Sequence, residues 1–318
     1  MNADARTTRP IEEYQMTEQI GFIGLGNMGA AFATRLLMAG KRLRICDVRA
    51  EAVTRFPAPS AVACASPRAV ASAAEVVFMS LPTPAVVEQV ALDVASAAGD
   101  RKLRCLIDLS TTGPAMARTL AERLAEVGVV YVDAPVSGGV AGAVAGTVVI
   151  MLACTDEMAR SLTPLLSLLG RVFHVGERAG QGQVTKLLNN LLSAGALLLS
   201  GEVAALGVKA GIDADTMIAV FNAGSGRNSA TLDKYPKAIL PGTFNLGFTN
   251  ALMLKDVELC LQLAHDIGVA MPVGDEIRRE WRAATEVTGA QADFTTIVRR
   301  SEIRAGVEVR SKLAQPKT

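Results

Sequence analysis

The hydrophobic period of this chain changes near residue 178, and the change bounds the folds open to it. Before that point, short apolar runs recur at 19–24, 43–47, 76–80, 103–109, 129–133, 148–152 and 172–175, each long enough for a strand. Stretches with a helical period lie between several of them, at 27–39, 114–127 and 156–169. In the first, Met28, Phe32 and Leu36 recur four residues apart and so share one helix face. Strands alternating with helices predict a doubly wound, mostly parallel sheet. After residue 178 the strand pattern stops. Residues 180–211 read as one long helix, apolar nearly all round, which predicts burial on most of its sides. Further helical patterns follow at 213–221, 250–267 and 272–287, with Asp213 placed as an N-cap and Pro272 in a first turn. The expected organisation is an α/β domain over 17–178 and an all-α C-terminal domain over 179–307, linked by the long helix. Loose tails are expected at 1–16 and 308–318.

Bulk properties narrow the function classes. The 318 residues leave room for two domains. Half of them are hydrophobic, 20% are charged, and the net charge is +1. The chain lacks the basic excess that phosphate neutralisation needs. At 4% aromatic it also lacks a base-stacking surface, so no nucleic-acid partner is expected. The most apolar run, 187–199, is short for a bilayer and holds Asn189, Asn190 and Ser193, so no membrane partner is expected either. The first 16 residues lack the apolar centre of a secretory signal, and Met16 is an alternative start. Cys46, Cys64, Cys105, Cys154 and Cys260 form no C-x-x-C pair and read as free thiols in a reducing, cytoplasmic setting.

The stretch "IGFIGLGNMG", residues 20–29, holds the spacing G-x-G-x-x-G at Gly24, Gly26 and Gly29. Alone, that spacing is weak. Here an apolar strand leads into it, a helical pattern follows from Asn27, and a second strand ends in Asp47, 18 residues after Gly29. This is the context of a Rossmann dinucleotide site. Gly24 permits the tight turn, Gly26 lets the backbone approach a pyrophosphate, and Gly29 lets helix and strand pack closely. Leu25, Asn27 and Met28 complete the loop, and the pyrophosphate would sit on free N–H groups at the helix start. A carboxylate at Asp47 can accept from both ribose hydroxyls and repels a 2′-phosphate, which favours NAD over NADP. Arg49 is the complication, because a nearby guanidinium can bind that phosphate.

Exchanging a hydride with a carbonyl group also requires a proton carrier. The chain has two histidines, His174 and His265, and both read as structural or surface residues. No H-x-x-x-H or Cys/His cluster suggests a metal. Lys186 is the remaining choice. It stands early in the long helix beside Leu187 and Leu188, where desolvation favours the neutral amine. Asn190, four residues on, projects from the same face. The same residues fit equally well a lysine that snorkels beside polar neighbours.

At this point the motifs resemble the β-hydroxyacid dehydrogenase family. "GFIGLGNMG" at 21–29, "DLSTTGPAMA" at 108–117, "DAPVSGGVAGAVAGTVVIM" at 133–151, "GQGQVTKLLNN" at 180–190 and "LMLKD" at 252–256 match it in order. The resemblance implies that Lys186 is the catalytic acid/base and that Asn190 helps hold the substrate. It implies that the turn at Ser137, Gly138 and Gly139 binds the substrate carboxylate, as closely spaced N–H groups can. Thr111 is placed near the nicotinamide, Leu81 and Pro82 along the cofactor cleft, and Lys255 as a cofactor-side contact. The stretch "GSGRN" at 224–228 is a further candidate for substrate contact. The implied reaction is NAD-dependent oxidation of a short β-hydroxy acid, such as 3-hydroxyisobutyrate, to its semialdehyde, or the reverse. Tartronate semialdehyde reduction and imine reduction are alternatives within the fold, and a non-catalytic dinucleotide-binding module is one outside enzymes. A homodimer or homotetramer is implied as well.

Overall fold

The computed structural model describes residues 19–97 and 102–311. It divides into two compact units, the first ending at Lys186 and the second beginning at Leu187. The expected boundary near 178 falls earlier, because the start of the long helix is hydrogen-bonded to strand ends of the first unit.

The first unit holds nine strands among the described residues: β1 Gln19–Ile23, β2 Arg42–Cys46, β3 Ala61–Ala63, β4 Val76–Met79, β5 Cys105–Asp108, β6 Val130–Asp133, β7 Val136–Ser137, β8 Val148–Ala153 and β9 Gly170–Gly176. Their order is β3-β2-β1-β4-β5-β6-β8-β7, with β9 paired to β8. From β3 to β6 every pairing is parallel, in the 3-2-1-4-5-6 order of a doubly wound dinucleotide fold. β8 reverses direction against β6 and β7. Strand residues alternate between two cores. Ile20, Phe22, Val76, Phe78, Cys105 and Ile107 face one, where Phe22 and Phe78 stack at 6.0 Å. Ile23, Val77, Met79 and Leu106 face the other. Helices therefore cover both faces of the sheet, as the continuous apolar strands require.

The stretch "VSGGVAGAVAG" contains more order than a small-residue turn. Val136 and Ser137 pair with β8, and Gly139–Ala145 is a short helix. Glycine and alanine hide such a helix because they give it no apolar period.

The second unit is helical: most of Gln181–Lys209, then Ala214–Ala223, a wide π-type turn at Ala230–Ile239, Asn250–Asp266, Pro272–Thr288 and Val298–Ala305. Its core gathers Leu187, Leu191, Leu197, Tyr235, Val257 and Trp281. Asp213 caps its helix by accepting from Thr216 N–H at 3.0 Å. Beyond Gly176 no strand occurs among the described residues.

Two expectations need correction. The long helix is not buried on most sides within the chain. Leu187, Leu191, Ala194 and Leu197 enter the core, but Leu188, Leu192, Leu199, Val203 and Leu206 lie exposed, because a second apolar face finds no covering neighbour among the described residues. By length and hydropathy alone this helix also meets the measure of a membrane span, with 39% of its most apolar window buried. The expected tail over 308–318 does not hold for its first residues, and 312–318 lie outside the described residues. Val309 is buried, its N–H donates to Glu302 at 2.9 Å, and Arg310 pairs with the same carboxylate at 2.6 Å. The tail over 1–16 lies outside the described residues.

Candidate active site

The glycine turn is built by close approach. Gly24 has φ +89°, and a Cβ there would overlap the Ser80 carbonyl oxygen. A Cβ on Gly29 would collide with the carbonyl oxygen of Gly24. A Cβ on Gly26 would meet nothing nearer than the Arg49 guanidinium at 3.9 Å. The helix Asn27–Met38 starts here with no side-chain cap and no acid in its first turn. Its positive end is thus left for an anion. Leu25 is buried, Met28 is partly buried and Asn27 is exposed. This turn fits the pyrophosphate of a dinucleotide: tight where strand and helix meet, open above Gly26.

Asp47 helps build the turn itself. Its Oδ2 accepts from Leu25 N–H at 2.6 Å, and its Oδ1 accepts from Arg49 N–H at 2.9 Å and Arg49 Nε at 3.3 Å. Burial would raise this carboxyl, but the N–H donors and the Arg49 charge together hold it below the usual carboxylate range. Oδ2 keeps a lone pair for a further donor, while Oδ1 already accepts two. Arg49 is half exposed at its side chain and lies beside the glycine turn.

A second group of residues gathers where β4, β5 and β6 end. Leu81 N–H donates to Ser110 Oγ at 2.9 Å, joining the two turns that follow β4 and β5. Leu81 and Thr111 are partly buried and Pro82 is exposed. Asp108 accepts from Ser110 N–H and from the Tyr131 hydroxyl, both at 2.8 Å. Burial and the neighbouring carboxylates raise the Tyr131 phenol well above its ordinary value. Gln183, in the first turn of the long helix, bonds both to this region and to Asp133. Lys186 follows three residues later and is 8% exposed. Ser137 is partly buried at the end of β7, while Gly138 and Gly139 are exposed with φ +135° and +65°.

In the helical unit Asn190 is buried, and its Nδ2 donates to Asp256 Oδ2 at 2.6 Å. The other oxygen of Asp256 lies 2.8 Å from Lys255 Nζ. Asp256 thus joins the two residues singled out in this unit. Sequence reasoning passed over it, along with Asp133 and Gln183. The signal available was an acid inside an apolar helix or at a strand end. His174 is engaged with the Cys154 carbonyl at 2.7 Å, and His265 is exposed. Among the described residues no group of three or more His, Cys, Asp or Glu side chains is placed to hold a metal.

The first unit has the fold and glycine turn of a dinucleotide-binding oxidoreductase domain, and comparison with known proteins agrees. Residues 19–176 match the family described as the NAD binding domain of 6-phosphogluconate dehydrogenase. Residues 180–301 match that described as NAD-binding of NADP-dependent 3-hydroxyisobutyrate dehydrogenase. The 3-hydroxyisobutyrate dehydrogenase of Pseudomonas aeruginosa is 38% identical over 87% of this chain and 96% of its own. The 2-(hydroxymethyl)glutarate dehydrogenase of Eubacterium barkeri is 33% identical over 92% and 97%. The Mycobacterium tuberculosis 3-hydroxyisobutyrate dehydrogenase, solved with L-serine, superposes with a TM-score of 0.79 at 30% identity, over 90% of this chain and 99% of that one. The chain belongs to the β-hydroxyacid dehydrogenase family and is an NAD-binding oxidoreductase acting on CH–OH groups.

Arg49 supplies a direct test of cofactor choice. A charge-assisted contact to a 2′-phosphate contributes roughly 1.5–3 kcal/mol, a tenfold effect or more. Arg49→Ala is expected to lower kcat/KM with NADP about tenfold while that with NAD changes less than about threefold. Equal losses with both cofactors would mean that Arg49 serves only to hold Asp47.

Proposed function

We propose that this dehydrogenase oxidises a short β-hydroxy acid of the 3-hydroxyisobutyrate kind to its semialdehyde with NAD, or catalyses the reverse reduction. The observation that carries the reading is the buried Lys186, one helical turn beyond a glutamine bonded to the cofactor-side turn at 110–113. NAD, when bound, supplies the hydride acceptor. Lys186 Nζ takes the proton of the substrate hydroxyl, and returns one in the reduction. Ser137 with the N–H groups of Gly138 and Gly139 holds the carboxylate. Asn190, fixed by Asp256, steadies the hydroxyl end. Gly24, Leu25, Gly26, Asn27, Met28, Gly29 and Asp47 hold the cofactor, with Thr111, Leu81 and Pro82 toward its nicotinamide and Lys255 as a further contact. Positioning and prearranged charge supply most of the acceleration. The names of the two curated relatives share an acid group and a hydroxymethyl carbon, which supports a β-hydroxy acid.

The test is a panel of 3-hydroxy acids and the matching semialdehydes, assayed with NAD and NADP. Turnover of at least one pair with NAD is expected. No activity on any of them in either direction would sink the reading, and tartronate semialdehyde as the single strong substrate would replace it with the reductase alternative.

The exposed apolar face of the long helix supports a homodimer or homotetramer. A monomer by sedimentation at micromolar concentration would refute that. All five cysteines are free in the structure, which supports a reducing, cytoplasmic location.

A further inference from the structure

Gln183 is fully buried, and its amide uses every hydrogen-bonding position it has. Oε1 accepts from Thr112 N–H at 2.8 Å and Gly113 N–H at 3.2 Å. Nε2 donates to the Ser110 carbonyl at 3.1 Å and to Asp133 Oδ1 at 2.8 Å. Two donors face one end and two acceptors the other, so the amide has one permitted orientation. Asp133 closes the arrangement. Its Oδ2 accepts from Gly180 N–H at 2.9 Å and Gln183 N–H at 3.1 Å. The approach leaves no room for side chains. A Cβ on Gly182 would lie 2.5 Å from the Met151 carbonyl oxygen and 3.0 Å from Asp133 Oδ2. Gly180 has φ +96° and abuts the Pro114 carbonyl. The two glycines of "GQGQ" therefore serve this approach.

One amide and one carboxylate thus join three segments: the 110–113 turn after β5, the end of β6, and the start of the long helix. An apolar core would hold these elements together equally well. What it would not do is fix the helix to single peptide groups of the turn.

We propose that Gln183 and Asp133 are positioning residues of the dehydrogenase, fixing the 110–113 turn against the helical turn that leads to Lys186 and so setting where the lysine amine meets the substrate hydroxyl. The proposal rests on Lys186 being the proton acceptor. Neither residue touches the reacting atoms.

The arrangement requires an ionised Asp133. Burial, and then the charge of Asp108, push this carboxyl up to about 6 against the pull of its three N–H donors. Facing it are Asp108 on β5, Tyr131 on β6, Cys154 after β8, and Gln183 with Gly180 at the helix start. Below about pH 6 the carboxyl turns an O–H toward N–H donors, and the register loosens. Turnover therefore falls as the pH drops through this value.

The experiment measures kcat against pH for the full-length wild type, Asp133→Asn and Gln183→Glu, with NAD affinity and melting temperature followed in parallel. Wild type is expected to show an acid limb near pH 6. Asp133→Asn is expected to lose about 100-fold in kcat at pH 8, since roughly 1 Å of misplacement costs that much, and to lose this limb. Gln183→Glu is expected to be equally impaired at pH 8. Measured relative to wild type at the same pH, it should recover at least tenfold as the pH falls from 8 toward, but not below, about 6, because a glutamic acid held against the Asp133 carboxylate takes up its proton before Asp133 does and restores one donor toward it. Folded variants whose profiles run parallel to wild type would overturn the proposal. Should Asp133→Asn fail to fold, the acid rescue of Gln183→Glu decides alone: its presence supports the proposal and its absence overturns it. A wild type inactive on every hydroxy acid would remove the underlying function reading and this proposal with it. Wild-type activity with parallel variant profiles would remove the positioning role only.

Discussion

Replacing Lys186 with alanine is expected to lower kcat for hydroxy-acid oxidation by about three orders of magnitude. A positioned acid/base contributes roughly 10²- to 10⁴-fold, and no histidine stands ready to substitute. His174 is committed to the Cys154 carbonyl, and His265 is 85% exposed at its side chain. The loss should fall on kcat, because the glycine turn proposed to hold the dinucleotide lies on other elements. NAD affinity by fluorescence titration should therefore change little. A small primary amine added to the variant should restore part of the rate, since it can occupy the space the side chain leaves. A variant that keeps more than a tenth of wild-type kcat would remove Lys186 from the mechanism. It would also revive the imine-reducing and non-catalytic alternatives, neither of which needs this lysine.

Two glycine substitutions should separate holding the turn from holding the cofactor. In Gly29→Ala the new methyl collides with the carbonyl oxygen of Gly24, which is backbone and can yield only if strand and helix separate. Overpacking of this kind costs about 1–3 kcal/mol. The melting temperature should fall by several degrees, and NAD affinity by about 100-fold or more. In Gly26→Ala the methyl stands in open space, with Arg49 at 3.9 Å as its nearest neighbour. That variant should melt with the wild type, yet bind NAD at least tenfold more weakly, because the methyl occupies the approach a pyrophosphate needs. Unimpaired NAD binding by Gly26→Ala would show that the cofactor does not cross the turn there.

The extent to which the molecule could be read in advance follows from how local each feature is. The glycine turn and Asp47 lie within one strand–helix–strand unit, so spacing reveals them. Seven strands announce themselves as apolar runs. Ala61–Ala63 does not, since three residues of alanine and valine show no period, and the two-residue β7 cannot. The long helix was legible as a helix but not in its burial, because an apolar face signals a partner without saying whether that partner is the same chain. Elimination and apolar neighbours point to Lys186 but leave a snorkelling lysine equally open, and only the motif match implies its catalytic role. The Gln183–Asp133 bond spans 50 residues, and the Asn190–Asp256 bond spans 66. Asp133, Gln183 and Asp256 are unremarkable beside their sequence neighbours. Only the folded topology brings them together.

The bond between Asp47 and Leu25 N–H bears on how readily an enzyme of this kind can exchange one cofactor for another. A residue that merely disfavoured a phosphate could be traded away in a single mutational step. Here the same carboxylate also pins the second residue of the nucleotide loop, and removing it leaves a backbone donor stranded. With Asp47 in its proposed role, selectivity and loop construction are inherited together. A lineage moving toward the phosphorylated cofactor would have to recruit a new acceptor for Leu25 first, or keep the acid and strengthen the arginine beside it.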